Sequence, residues 1–169
     1  LHNGEALVKA SLLEKLLIPL VVKLTNYMPG GGIWMNTQRP EWNDANNALA
    51  GHGLSMVTTC YIHRYLNFLD RILKLDAPQI ECSTALKECL NALTDIFATS
   101  PESSLQSPAS SYKMLKALGL AGEHYRNRVY ANEISEHSTL STERLKAFIQ
   151  NARTHIRASI EANKRSDGL

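Results

Sequence analysis

Apolar residues recur every three or four positions along almost the whole chain, and that spacing limits the possible folds more than any other feature. A period near 3.6 marks one side of an amphipathic helix, whereas alternation in twos would mark a half-buried strand. The first such stretch runs from about Gly4 to Thr25, with Leu7, Leu12, Leu13, Leu16, Leu17 and Leu20 as its apolar side. Pro19 within it is expected to kink or split the helix, because its ring removes a hydrogen bond and crowds the preceding turn. Met28-Pro29-Gly30-Gly31-Gly32 ends it, and a long loop is expected to reach about Gly53. The second stretch, about Leu54 to Leu75, places Val57, Tyr61, Tyr65, Phe68 and Ile72 on one side and stops before Asp76-Ala77-Pro78.

The third stretch opens at Ser83, a good N-cap, and carries Leu86, Leu90, Leu93 and Phe97. After a polar loop from Ser100 to Pro108, the fourth spans about Ser110 to Ala131. Gly119 and Gly122 inside it each cost about 1 kcal/mol against alanine, a cost that close approach of a neighbouring helix would justify. Ser141, with Glu143 in the first turn, opens the fifth, whose apolar side is Leu145, Phe148, Ile149, Ala152, Ile156 and Ile160. No strand pattern competes with these. The fold class expected is therefore all-α: about five long helices in antiparallel hairpins, forming a single domain over residues 1–169. Alternating helix directions put the 25–53 loop, the Ser100 loop and the C-terminal tail on one face, with the Asp76 and Asn132 turns on the other.

Composition removes several classes. A chain of 169 residues, 44% hydrophobic and 20% charged, is long enough to bury a core and is neither a disordered tail nor a collagen-like chain. Lys and Arg outnumber Asp and Glu by only 18 to 16, which gives no nucleic-acid footprint. Cys60, Cys82 and Cys89 form neither a disulfide framework nor a zinc-spaced set, and are read as buried, inert thiols in a reducing compartment. The most apolar run, Leu12 to Leu24, is too short to cross a bilayer and is broken by Glu14, Lys15, Pro19 and Lys23. A cytoplasmic location is the default, with a mature secreted fragment as the alternative. The start at Leu1 and the ending Asp167-Gly168-Leu169 read as cuts through something larger.

Chemistry concentrates between the first two helices: Trp34-Met35-Asn36-Thr37-Gln38-Arg39-Pro40-Glu41-Trp42-Asn43-Asp44-Ala45-Asn46-Asn47-Ala48-Leu49. Indole faces of Trp34 and Trp42 suit the apolar face of a pyranose. The carboxamides of Asn43, Asn46 and Asn47 donate and accept, as sugar hydroxyls do. A carboxylic acid beside an aromatic wall keeps its proton to higher pH and can serve as a general acid. Arg39 could pair with either carboxylate or hold an oxyanion. The plainer readings stand beside these: Asp44 as an N-cap for Ala45–Leu49, and the tryptophans as pins holding the loop to the bundle. Gly30-Gly31-Gly32 has neither the strand nor the Lys-Ser/Thr of a phosphate loop, so it reads as a hinge or turn. His63, His124 and His155 have no partner at i+4 to form a metal pair. Charged residues on the last two helices read as a solvated face. No cofactor and no metal are expected.

The segment Arg39 to Leu49, R-P-E-W-N-D-A-N-N-A-L, resembles a signature of large bacterial proteins with a glycosidase-like six-hairpin (α/α) toroid. It is also similar to the D-W-N-D-G-M-N segment of cellobiose phosphorylase and its relatives. Gly122 to Tyr130 and Ile156 to Leu169 resemble interior stretches of the large proteins, although only the W-N-D segment is specific. The resemblance implies part of an (α/α)6 toroid, of which this chain would supply about two and a half of six hairpins. It implies cleavage of a glycosidic bond, by hydrolysis or phosphorolysis, with Asp44 as the first candidate for the catalytic acid and Glu41 as the second. Ala45-Asn46 replaces Gly-Met, and Glu41 replaces Asp, so reaction type and substrate do not carry over. Arg165 and Asp167 fall on the same expected face and join Trp34, Arg39, Trp42, Asn43, Asn46 and Asn47 as candidates for substrate contact. The partners expected are an oligosaccharide or glycoside, and the remainder of a parent protein or a second copy covering exposed helix faces. Nucleic acid and membrane are not among them. A non-catalytic helical interaction module, or a carbohydrate-binding remnant, is the rival reading.

Overall fold

The computed structural model describes residues 2–3, 6–7, 9–36, 52–73, 78–100, 107–131, 133, 136–164 and 167. In chain order the elements are β1 (His2–Asn3), β2 (Ala6–Leu7), α1 (Leu12–Leu24), β3 (Tyr27–Met28), β4 (Gly32–Asn36), β5 (His52–Ser55) and α2 (Met56–Ile72). They continue with β6 (Gln79–Ser83), α3 (Thr84–Thr99), α4 (Pro108–Tyr130), β7 (His137–Ser141) and α5 (Thr142–Ala162).

Each of these helices begins directly after a serine: Ser11, Ser55, Ser83, Ser107 and Ser141. The reason is local. A serine hydroxyl can accept one of the first-turn N–H groups that have no partner within the helix. Ser11, Ser55 and Ser141 do so, accepting from Glu14, Thr58 and Arg144 at 3.1 Å. The expected starts at Ser83 and Ser141 are thus where the helices begin. The first helix is shorter than expected, because residues 2–3 and 6–7 pair as a small ladder. Pro19 lies inside α1, which runs on from Leu12 to Leu24 around it.

The all-α toroid segment is not what the chain forms. It is a mixed α/β fold, mostly helical, with short antiparallel ladders β1-β2, β3-β4-β5 and β6-β7. Strands of two to five residues are too short to impose a two-residue period on the sequence, so the helical pattern on either side masks them. Their positions are systematic: β5, β6 and β7 each run straight into a helix through the serine that precedes it. In the β6-β7 ladder Gln79 lies opposite Ser141 and Ser83 opposite His137. Thr84 N–H donates to the Glu136 carbonyl (2.8 Å) and Thr142 N–H to that of Pro78 (3.0 Å), so the starts of α3 and α5 are tied at one end. The β3–β4 turn meets the finish of α5 at the other end, where Asn163 Nδ2 donates to the Gly30 carbonyl (2.7 Å). The starts of α3 and α5 thus lie at one end of the helices and the β3–β4 turn at the other; the turns expected at 74–77, 101–106 and 132 lie outside the described residues.

Aliphatic side chains fill the space between the helices. Leu17, Leu20 and Leu24 of α1 meet Leu66 and Leu69 of α2, Leu86, Leu90 and Leu93 of α3, Leu118 of α4, and Phe148 and Ile156 of α5 in one buried cluster. The apolar sides expected for α3 and α5 are the ones buried, except that Ile160 is only half-buried. In α2 the outcome is reversed. Its buried side is Thr59, Ile62, Leu66 and Leu69, while Val57, Tyr61, Phe68 and Ile72 are exposed and Tyr65 is half-buried. The helix has two apolar stripes, and the aliphatic one packs because it interlocks with leucines at close-packed density.

The two α4 glycines separate cleanly. A Cβ on Gly122 would stand 2.7 Å from Cβ and Oγ1 of Thr25, the residue that closes α1, whereas at Gly119 nothing lies within 4 Å. Close approach justifies Gly122 and not Gly119. Gly119→Ala should therefore stabilise the chain by up to about 1 kcal/mol through helix propensity. Gly122→Ala should destabilise it by about 1–3 kcal/mol through overpacking. Urea denaturation followed by circular dichroism measures both, and equal signs would refute the distinction.

Candidate functional site

The segment singled out for its chemistry, 37–51, joins two strands that are paired to their last residues. In the ladder Ile33 faces Ser55, Trp34 faces Leu54, Met35 faces Gly53 and Asn36 faces His52. Both ends of the segment therefore leave from one point, side by side, at strand spacing. What was expected to be continuous loop from Thr25 to Gly53 is instead a hairpin support carrying this segment.

The support is fastened to the helices on two sides. Tyr27, fully buried in β3, donates its hydroxyl to the His155 carbonyl (3.0 Å) and lies 2.6 Å from Ser159 Oγ. Burial pushes the Tyr27 phenol above its usual value, which keeps it a donor. Ser159 Oγ also accepts the Gly30 N–H at 3.0 Å. Gly30 adopts φ 77°, a left-handed conformation that glycine takes at no steric cost, so the Gly30-Gly31-Gly32 run is a turn bolted to α5. On the α2 side, Thr59 Oγ1 accepts from Ile33 N–H (3.0 Å) and donates to the Ser55 carbonyl (2.7 Å). Gly32 has φ 146°, and a Cβ there would stand 2.6 Å from Thr59 Oγ1, so only glycine lets the strand come this close to the helix.

Trp34 sits in β4, donates its N–H to the Asn26 carbonyl (2.8 Å), and leaves its side chain 40% exposed beside this fastened strand. It is thus held at its backbone and open at its ring. Asp167 is exposed. Arg39, Glu41, Trp42, Asn43, Asp44, Asn46, Asn47 and Arg165 lie outside the described residues.

A concavity of about 390 Å³ opens between α1 and α4 and is walled by Ile18, Val22, Tyr125 and Val129, with Lys9 and His137 also lining it. Its buried carboxylate, Glu14, registers in the sequence only as a charge interrupting an apolar run. Glu14 Oε1 accepts from Ser83 N–H (3.0 Å) and Ser83 Oγ (2.5 Å). The Ser83 hydroxyl makes no cap bond to its own helix. Glu14 therefore acts as a structural tie from α1 to the start of α3. Burial raises the Tyr125 phenol to about 12, with the nearby Cys89 and then Glu14 adding to the shift.

Cys82 and Cys89 are buried, and desolvation lifts their thiols to about 11 and about 12, so they are inert as expected. Cys60 departs from that reading: it is exposed on α2. The charged residues read as a solvated face also join helices. Arg128 of α4 bonds Glu88 of α3 (2.5 Å), Arg144 of α5 pairs with Asp95 of α3, and Arg153 of α5 with Asp70 of α2 (2.7 Å). Among the described residues no group of three His, Cys, Asp or Glu side chains could hold a metal, and no helix is long and apolar enough to cross a membrane.

Compared with known proteins, the chain matches no family model, and no curated protein matches it.

Proposed function

We propose that the chain belongs to a carbohydrate-active enzyme and that segment 37–51 carries its glycoside-cleaving residues. The observation that carries this reading is the Asn36–His52 pairing, which anchors both ends of a segment holding Glu41, Trp42 and Asp44 on a hairpin fixed to α2 and α5. Cleavage requires acid, wall and hydrogen-bonding groups to be held together, and residues on segments between rigid elements are suited to that. The R-P-E-W-N-D-A-N-N-A-L resemblance supports the same assignment.

In this reading Asp44 protonates the leaving glycosidic oxygen, and Glu41 is the second candidate for that role. A carboxylate from elsewhere in the protein activates water, or phosphate attacks directly. Trp42 and Trp34 stack on sugar rings, and Arg39, Asn43, Asn46 and Asn47 hold hydroxyls. The tail residues Arg165 and Asp167 belong to the same expected face and are the outermost candidates. The second carboxylate is not assigned within this chain.

Calorimetric titration with a panel of short neutral oligosaccharides tests the binding half. Saturable binding to at least one is expected, weakened about tenfold or more in Trp42→Ala, the loss typical of an aromatic anchor. Absence of binding across the panel, or binding unchanged in Trp42→Ala, would overturn the assignment.

A further inference from the structure

The outward side of α2 carries a stripe of exposed apolar side chains, whose reading is independent of whether segment 37–51 cleaves glycosides. Tyr61, Tyr65, Phe68 and Ile72 succeed one another at steps of four, three and four residues. That is the alternation by which one helix presents knobs to another along a left-handed crossing. Tyr61 is 62% exposed, and Phe68 and Ile72 are also exposed. Tyr65 is recessed between them because its hydroxyl donates to the Leu16 carbonyl of α1 (2.9 Å), and its ring lies 6.1 Å from that of Phe68. The result is a row of two knobs around a hollow. Exposed aromatic and aliphatic side chains concentrated on one helix mark an interaction surface, whereas isolated ones need no explanation.

Charge selects the partner. Written as heptads with Tyr65 and Ile72 at a, the seam has Tyr61 and Phe68 at d and Arg64 and Arg71 at the two g positions. The Arg64 guanidinium lies over the Tyr61 ring, 5.7 Å from its centroid, and so stays on the crest of the stripe. Neither Arg64 nor Arg71 forms an ion pair with a carboxylate among the described residues. Asp70, the carboxylate that shares this groove, is already bonded to Arg153 at 2.7 Å. The opposite flank of the seam, at Ile62 and Leu69, faces the chain's own core. A second copy docked antiparallel would set arginines against arginines, since g residues meet g residues in that arrangement.

We infer that the outward face of α2 binds an amphipathic helix of another protein or domain whose flank beside Arg64 and Arg71 is acidic. Apolar side chains of that helix fill the hollow at Tyr65 between Tyr61 and Phe68, and its carboxylates meet the two guanidiniums. Charge-assisted pairs at the rim fix orientation and partner choice, while the aromatic anchors supply most of the affinity.

The probe is a synthetic helix of about three heptads with Leu at a and d and Glu at e and g. Mutual repulsion of the glutamates keeps it from pairing with itself, and a Lys-flanked peptide is its control. Fluorescence anisotropy should show saturable one-to-one binding of the Glu peptide and at least tenfold weaker binding of the Lys peptide. Tyr61→Ala and Phe68→Ala should each weaken the Glu peptide about tenfold with circular dichroism unchanged. The Arg64→Glu, Arg71→Glu double variant should reverse the preference between the two peptides. No binding at submillimolar peptide, equal binding of both peptides, or a preference that survives the charge reversal would overturn the proposal. So would a stable dimer of the unmodified chain in sedimentation that Tyr61→Ala dissolves, because a second copy would then be the occupant. Asp44→Asn should leave peptide binding unchanged, which keeps this result separate from that of the glycoside-cleavage reading.

Discussion

Glu14→Ala should cost the fold about 3 kcal/mol, measured as a shift of the urea midpoint at constant slope. Glu14 is 4% exposed, and its Oε1 holds both the N–H and the hydroxyl of Ser83 at the start of α3. Hydrogen bonds contribute about 0.5–1.5 kcal/mol each in net terms and about 1.5–3 where a partner is charged, and removing one partner leaves the other buried without its bond. Two bonds to one oxygen would suggest a larger loss. The adjoining cavity moderates it, because a concavity of about 390 Å³ beside Ser83 can admit water to the stranded donors. Glu14→Gln keeps an acceptor oxygen at that position without the charge and should cost only about 1 kcal/mol. Ser83→Ala removes the hydroxyl alone and should fall between the two, and in a double-mutant cycle it should be strongly non-additive with Glu14→Ala. An alanine variant within 0.5 kcal/mol of the unmodified chain, on a scale of roughly 1 kcal/mol for an average substitution, would show that this tie is idle.

The same carboxylate shows what the sequence could and could not convey. Its four flanking leucines, Leu12, Leu13, Leu16 and Leu17, place it in an apolar run, yet its partner Ser83 lies far along the chain, in the last position of β6. Long-range pairings of this kind leave no periodic trace. Local signals were legible: the serines at 83 and 141 announce their helices, and Gly122 announces a close approach that Thr25 fills. The strands were not, because ladders such as Gln79–Ser83 with His137–Ser141 contain only five residues each and are defined by one another. Helix α2 shows a different limit. Its sequence offers two apolar stripes, and hydrophobicity alone favoured the aromatic one. What decided the outcome was shape: Ile62, Leu66 and Leu69 fit among the leucines of the other helices, while the rings of Tyr61 and Phe68 stayed outside. For the candidate site, the residue types of segment 37–51 were legible, whereas the hairpin that anchors it depends on Thr59 and Ser159, remote residues with no motif of their own.

Asp44→Asn should lower glycoside cleavage by about a thousandfold in the protein that carries this segment, with urea stability unchanged. General acid catalysis contributes typically 10²–10⁴-fold, and the amide cannot deliver a proton to the leaving oxygen. The substitution also separates the catalytic role from the structural one. Asparagine caps a helix about as well as aspartate, so if Asp44 merely opens the 45–49 stretch, neither activity nor stability should move. Substrates sharpen the test further. An activated glycoside whose leaving group departs without protonation should recover most of the lost rate in the variant, because the missing proton is no longer needed. A natural glycoside should not. Glu41→Gln is the companion measurement: if the roles are exchanged, the thousandfold loss and the rescue by an activated leaving group follow Glu41 instead. A full rate in Asp44→Asn on unactivated substrate would remove Asp44 from the chemistry. A loss that no leaving group rescues would point to the other carboxylate role, as nucleophile or as the base that activates water.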